Sequence, residues 1–259
     1  MKNIFKFILL LGILILNSCS KSNEDNGSSI GPANSLKKLS ETVYGSTITS
    51  FSANFNYENG KLTSITNATN SLELIYTGDK ITSTQVFTNN VLLNSYSLEY
   101  QNSLLISITN TTDNFERTFF TYNNSVISSI ANQSLNNNVW QDEIKDDYQF
   151  LDNNIIQSIH NSYNNGSVLS SKKTYGYDSK LTPMNYMINE VRYLVAIQSC
   201  DFKNKNNQTN SYTYNTVSSS TPILENTFQT IYNSANLPTS IKKYSDTGVL
   251  VSEATFEYN

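Results

Sequence analysis

Two cysteines, one histidine and one tryptophan in 259 residues leave little material for redox, metal or nucleophilic chemistry. Metal sites assemble several His, Cys or carboxylate ligands, and the lone His160, following Ile159 at a strand end, reads as a surface residue. The chain holds no phosphate-binding glycine loop, no metal-spaced Cys/His set and no G-x-S-x-G elbow. Basic residues are also few, 17 against 21 acidic, for a net charge of −4. That balance excludes a nucleic-acid partner, because phosphate binding needs clustered Lys and Arg. Runs of Ala, Leu, Lys and Glu with helix caps are scarce, so a helical protein is excluded too. Nothing here predicts an enzyme or a cofactor.

The only long apolar run is Phe7 to Leu16, in MKNIFKFILLLGILILNSC, preceded by Lys2 and Lys6. It is too short to span a bilayer comfortably and reads as a secretory signal over residues 1–18. Its ending, LNSC, resembles the lipobox of bacterial lipoproteins, which implies cleavage before Cys19 and acylation of that residue. Removal of Lys2 and Lys6 leaves 15 basic against 21 acidic side chains, a net charge of −6. With Cys19 acylated only Cys200 remains, so no intrachain disulfide is available, and Cys200 reads as a small buried hydrophobe. The stretch SKSNEDNGSSIGPANS has almost nothing to bury, so residues 19–38 are expected to form a flexible tether. Glu24 and Asp25 resemble the acidic surface-export signals of Bacteroidetes lipoproteins, which implies an outer-membrane location, periplasmic or cell-surface facing.

Residues 39–259 suffice for a single all-β domain. Within them one segment recurs: FNYENGKLTSI (Phe55 to Ile65), LEYQNSLLISI (Leu98 to Ile108) and FTYNNSVISSI (Phe120 to Ile130). Looser copies begin at Leu74, Tyr148, Tyr175 and Thr230, and half units stand at Tyr212 and Phe256. Repeats on a scale of ~20 to 30 residues mean one supersecondary unit stacked many times. In VLLNSYSLEY, Leu92, Tyr96, Leu98 and Tyr100 share one parity while Ser95, Ser97 and Glu99 share the other, the period of a strand. Second turns at Asn89-Asn90, Asn164-Asn165-Gly166 and Asp246-Thr247-Gly248 suit the positive φ of tight hairpins. The pattern predicts an antiparallel up-and-down meander of about 14 to 16 strands, curled into an open or closed barrel-like sheet. The recurring tyrosines are expected to stack between neighbouring strands. One segment departs from period two: Met184, Met187, Ile188, Val191, Leu194 and Val195 follow Pro183 at helical spacing. A short helix near 184–198, plugging one mouth of the barrel, is predicted.

Tyr-x-Tyr-Asp/Asn, a turn, then Leu-x-Ser-Ile resembles the YD repeat of the Rhs superfamily, with YGYDSK (Tyr175 to Lys180) the closest copy. The lipoprotein signal followed by such hairpins is similar to a family of Bacteroidetes lipoproteins whose domain is described as a porin-like β fold. That resemblance implies architecture and is nearly silent about activity. The chain departs from true Rhs proteins in its small size and in having no C-terminal toxin.

One acidic cluster stands out, WQDEIKDDY, with Asp142, Glu143, Asp146 and Asp147 beside Trp140. Paired carboxylates serve glycoside cleavage and Trp stacks on sugars, but an acidic run of unfixed spacing reads first as a solvated hairpin loop. A membrane-spanning barrel is disfavoured by the charges scattered through the strands, Glu99, Glu116, Arg117, Lys242 and Lys243 among them. The sequence therefore predicts a domain standing in water, held by Cys19, that binds a glycan, a protein or a lipophilic molecule, with Trp140 as a stacking platform. Its alternatives are an accessory subunit of an outer-membrane complex and a hydrolase built on Asp142–Asp147.

Overall fold

The computed structural model describes residues 32–164, 167–185, 189–194, 201 and 203–259. Cys19, Cys200, Met187, Ile188, Val195, Asn165 and Gly166 lie outside the described residues. The strands in chain order are β1 (Leu36–Val43), β2 (Thr49–Glu58), β3 (Lys61–Thr66), β4 (Asn70–Thr77), β5 (Lys80–Thr88), β6 (Val91–Gln101), β7 (Leu104–Asn110) and β8 (Glu116–Asn123). They continue as β9 (Val126–Asn136), β10 (Val139–Leu151), β11 (Asn154–Asn164), β12 (Ser167–Leu181), β13 (Asn206–Tyr214), β14 (Ile223–Tyr232), β15 (Pro238–Ser245) and β16 (Leu250–Tyr258). Each pairs antiparallel with its sequence neighbours, and β1 also pairs β16, so the meander closes into a barrel without a free edge. One helix, α1 (Asn189–Leu194), lies in the long connection from β12 to β13. β1 begins at Leu36, which is fully buried and whose carbonyl and neighbours are hydrogen-bonded.

Tight turns set the register. Asn89-Asn90, Asn102-Ser103, Asn124-Ser125, Asn137-Asn138 and Asp152-Asn153 each hold two successive positive φ angles, as does Asn59-Gly60. Two positive φ values match the twist of a two-residue hairpin, and Asn or Asp tolerates them at small cost. Alternation then assigns the faces. On β2, Phe51, Ala53, Phe55 and Tyr57 are buried while Ser50, Ser52 and Asn54 are exposed; on β16, Ser252, Ala254 and Phe256 are buried while Thr255 and Glu257 are exposed. The apolar core gathers on the inner faces of β1–β9, β15 and β16.

Tyrosines join one hairpin to the next. At the end of the barrel where the chain enters, the ladders between neighbouring hairpins stop short, for example at Ser64–Glu73, Ser83–Ser97 and Ser107–Phe119. Three residues past each last rung stands a tyrosine whose hydroxyl crosses the seam. Tyr57, Tyr76, Tyr100, Tyr122, Tyr177 and Tyr258 donate to the carbonyls of Leu36, Leu62, Ile81, Leu105, Ile155 and Pro238 at 2.6 to 2.8 Å. The recurring contact of these tyrosines is thus a hydroxyl-to-carbonyl bond, where the sequence suggested stacking. Two hairpins vary the device. On β14 the Tyr232 hydroxyl donates to the Asp178 carboxylate and accepts from the Asn207 amide. On β10 the position belongs to Phe150, three residues past the Ser129–Asp147 rung, which has no hydroxyl to give.

A phenol can donate only while protonated, and burial pushes the Tyr57 hydroxyl up to about 12, an effect the Ser35 hydrogen bond slightly opposes. The raised value means that the folded state favours the neutral phenol. Its contribution is complete below the unfolded value near 10 and is lost as pH climbs from there through about 12. Tyr57→Phe is expected to lower stability by about 1 to 2 kcal/mol at pH 8, measured by urea denaturation. The same substitution should flatten the decline between pH 10 and 12; equal stability and an unchanged alkaline slope would show that the Tyr57 bond contributes nothing.

Candidate functional site

The connection from β12 to β13 turns back into the barrel at the tyrosine end. Met184 and Val191 are fully buried and Leu194 nearly so, all within the main apolar core, and Tyr193 packs against Phe120 with ring centres 5.2 Å apart. Of the apolar stripe expected to plug one mouth, the described residues Met184, Val191 and Leu194 are buried in the core, and Val191 and Leu194 lie on α1. Burying three such side chains is worth roughly 1.5 to 3 kcal/mol each. Asparagines fasten the returning chain to the start of β11: Asn154 and Asn206 exchange two hydrogen bonds at 2.8 and 2.9 Å, and the Ile155 amide donates to the Asn204 side chain at 2.7 Å. These residues and the cations beside them escape sequence reading, because KNKNN looks like any polar loop.

A cavity of about 450 Å³ opens between this connection and the tips of three hairpins. The hairpins contribute Leu104, Leu105, Val126, Ile127, Phe150 and Tyr122, with the polar turn residues Ser103, Ser125 and Asn153. The connection carries Arg192, Lys203 and Lys205 with Tyr193 and Asn185. Arg192 is fixed by donating to the Asn204 carbonyl at 2.5 Å, and Lys203 pairs with Asp201 at 3.2 Å. Burial pulls the Lys203 ammonium down, but Asp201, reinforced by Asp146, outweighs it and holds the group above the ordinary lysine range. Burial also pushes the Tyr193 hydroxyl up to about 12, so it stays a neutral donor. No carboxylate lies among the described residues of the lining.

The acidic cluster is a strand and not a loop. Asp142, Glu143, Asp146 and Asp147 all lie on β10, whose alternation separates them. Asp146 shares the inner face with Tyr148 and is 2.9 Å from His160 Nδ1; His160 sits mid-strand on β11. Asp147 shares the other face with Lys145, at 2.9 Å, and accepts from Asn161. Asp142 accepts from Gln133 at 2.7 Å, and Gln133 accepts from Arg117 Nε at 2.7 Å. A carboxylate pair flanking one sugar bond does not arise from that split. Further inside, Lys173 bonds Glu225 at 2.6 Å, and Glu225 also accepts from Ser211, so the β12–β14 side of the interior is polar. Burial pulls the nearby Lys243 ammonium down, partly countered by Glu225. Among the described residues no group of three His, Cys, Asp or Glu side chains is placed to hold a metal.

Trp140 lies near the start of β10, half-buried, opposite Leu135. The Arg117 guanidinium carbon stands 4.4 Å from its ring centre and 5.0 Å from that of Phe119. One face of the expected stacking platform is thus already occupied by a cation. Burial pulls Arg117 down, against Glu99 and Asp142, which favour its charge.

Two solved structures are similar to this chain. A porin-like protein from Bacteroides vulgatus is 14% identical over 86% of this chain and 98% of its own, with a TM-score of 0.52. A porin-like protein from Bacteroides uniformis is 11% identical over 88% of this chain and 99% of its own, with a TM-score of 0.46. No family model and no curated protein matches the chain. At 14% identity the likeness is one of fold.

Trp140 is the only tryptophan, so its emission reports this stack directly. Arg117→Ala is expected to shift the emission maximum and to cost about 1 kcal/mol of stability. Unchanged emission together with unchanged stability would show that the stack is not kept in solution.

Proposed function

We propose that the chain is an outer-membrane lipoprotein, anchored through acylated Cys19, whose barrel stands in water and binds a ligand without transforming it. The observation that carries this reading is the cavity at the tyrosine end, bordered by the tips of three hairpins and by Arg192, Lys203 and Lys205 of the β12–β13 connection. Its volume falls within the ~300 to 1,000 Å³ of small-molecule sites. Against catalysis weighs the scattering of the acidic cluster over both faces of β10. Standing in water is supported by the strand faces: Phe51, Phe55, Leu72, Leu74 and Phe256 point in while Ser52, Asn54, Glu73, Thr255 and Glu257 point out, with Ile75 on β4 the apolar exception, a pattern opposite to that of a lipid-facing barrel. The resemblance to YD-type hairpins belongs to the same reading, as does the tether between Cys19 and β1. Ligand classes compatible with it are a glycan, a protein segment or a lipophilic molecule.

A second reading, an accessory subunit of an outer-membrane complex, is favoured by the opposite end of the barrel. Its hairpin tips expose Ile48, Val91, Leu93, Phe115, Val168 and Leu169, the last at 73%. Exposed apolar side chains on four connections at one end of the barrel suit burial against a protein partner.

Intact mass of the protein purified from cells is expected to lack residues 1–18 and to carry acyl chains on Cys19, and Cys19→Ser should show neither change. A wild-type protein with its first 18 residues intact and no acyl mass would overturn the anchor. For the binding role, a panel of glycans, lipids and envelope proteins scored by thermal shift is expected to give a saturable rise in melting temperature without turnover. Turnover of any panel member would sink the non-enzymatic reading.

A further inference from the structure

The apolar side chains that the barrel leaves exposed gather at one end. Of the fifteen large ones among the described residues, Ile75, Val126, Leu151 and Ile231 lie toward the tyrosine end, and the rest stand at or beside the connections of the opposite rim. Seven of the eight connections there carry at least one, β3–β4 being the exception. Val91, Phe115, Val139, Leu169, Ile223 and Val249 are therefore spread right round the closed ring, and a surface that meets them together must lie across the whole mouth. Charge is distributed the other way. Among the described residues of these eight connections the charged ones are Asp113 and Asp246, with no Lys or Arg, whereas Glu58, Lys61, Asp79, Lys80 and Asp152 flank or form turns at the tyrosine end. Backbone pairing continues into the rim: the amides of Tyr44, Asn89, Thr111 and Leu135 donate to the carbonyls of Val251, Thr69, Ser95 and Phe115 at 2.6 to 2.8 Å. Paired backbone and uncharged tips lower the cost of leaving water. Just behind the tips stand Tyr44, Trp140 and Tyr163, whose amphipathic rings suit the boundary between lipid and water. Two cations close behind the rim, Arg117 and Lys172, are held on the rings of Trp140 and Tyr214 at 4.4 and 3.9 Å.

We propose that this rim docks on the face of a lipid bilayer, its tips entering the interfacial layer while the barrel wall stays in water. Apolar tips first and amphipathic rings behind them is the layering of a bilayer surface, which favours lipid over the protein partner of the second reading. With no cation on the tips the attraction is apolar, so anionic lipid is not required. The acyl anchor and this rim can meet one bilayer although the chain enters at the other end. Twelve residues separate Cys19 from Pro32, a reach of about 40 Å when extended, against about 33 Å for the ten residues of β2. The proposal goes beyond the anchor and stands without it.

Trp140, the only tryptophan, is the second residue of β10 and reports on the rim. The test is its emission in the full protein purified from cells and mixed with phosphatidylcholine vesicles whose acyl chains are brominated, compared with unbrominated vesicles. Bromine is expected to quench Trp140, with or without anionic lipid. Attachment through the N-terminus alone leaves Trp140 at the far end of the barrel and does not mimic that result. Combined Val91→Asn, Phe115→Asn and Leu169→Asn should abolish the quenching and leave the melting temperature close to wild type, because all three side chains are exposed. Combined Leu151→Asn and Ile231→Asn, at the tyrosine end, should keep it. Trp140 unquenched in the wild type, quenched equally in the rim variant, or quenched only with anionic lipid would each overturn the proposal. An unquenched Trp140 together with crosslinks from position 169 to an envelope protein in intact cells would give the rim to a protein partner; together with a lipid-free dimer that the rim variant splits, to a second copy of the chain. Intact mass separates this result from the anchor: quenching with an unacylated Cys19 overturns the anchor and leaves the rim, and an acylated Cys19 with unquenched Trp140 does the reverse.

Discussion

A phenol hydroxyl reaching across to a neighbour's backbone carbonyl is the interaction on which this barrel is organised. The hairpins β2–β3, β6–β7, β8–β9 and β10–β11 are self-sufficient at their tips, because two positive-φ residues carry the chain round and both strands pair up to the turn. At the tyrosine end the ladders between hairpins run out, and of the turns there Gly78-Asp79 is tied to its neighbour by Lys61. Tyrosine suits the gap because one side chain supplies both an apolar ring for the inner face and a donor at its far end. A phenylalanine there would fill the same space and leave a carbonyl with one partner fewer. Repetition of the segment along the chain is therefore repetition of a joint.

Sixteen strands make a ring too wide for its own side chains to fill, and barrels of that size enclose channels or plugs. This protein divides the problem. The β1–β9 side, with β15 and β16, is packed with aliphatic and aromatic residues, and the connection between β12 and β13 adds Met184, Val191 and Leu194 to that core. Across from it, Lys173, Glu225 and Ser211 form a hydrogen-bonded polar face, and Asp146 with His160 another. Lys173 with Glu225, and Asp146 with His160, persist there as bonded pairs, which is the condition for keeping charge inside.

Much of the architecture was legible because it depends on local rules. Period two, the Asn-rich turns and the strand count follow from residue type and spacing, and so does the short apolar helix stripe, since Val191 and Leu194 point one way at helical spacing. The seams were not legible: a bond from Tyr100 to the Ile81 carbonyl depends on how two hairpins diverge, which no local pattern records. The acidic run was misread for a related reason. Four carboxylates in six residues look like a solvated turn, but pairing with β9 and β11 holds them extended and sends Asp146 and Asp147 to opposite faces. Arg192, Lys203 and Lys205 were invisible as a group because a connection lying outside the repeat brings them together.

A repeated joint also makes its exceptions informative. If hairpins were interchangeable, loss of one hydroxyl bond would cost on the order of 1 kcal/mol and would be as tolerable at any seam as at another. Phe150 stands at the seam that faces the returning chain, where Tyr193 already packs on Phe120 and Phe150 meets Tyr148 with ring centres 6.2 Å apart. There the joint is not needed to hold the mouth, since the Asn154–Asn206 and Ile155–Asn204 bonds tie the connection to β11 directly. The connection thus relieves one seam of its tyrosine and supplies the cations opposite it. Space and positive charge arise at one place from a single departure of the chain from its own repeat.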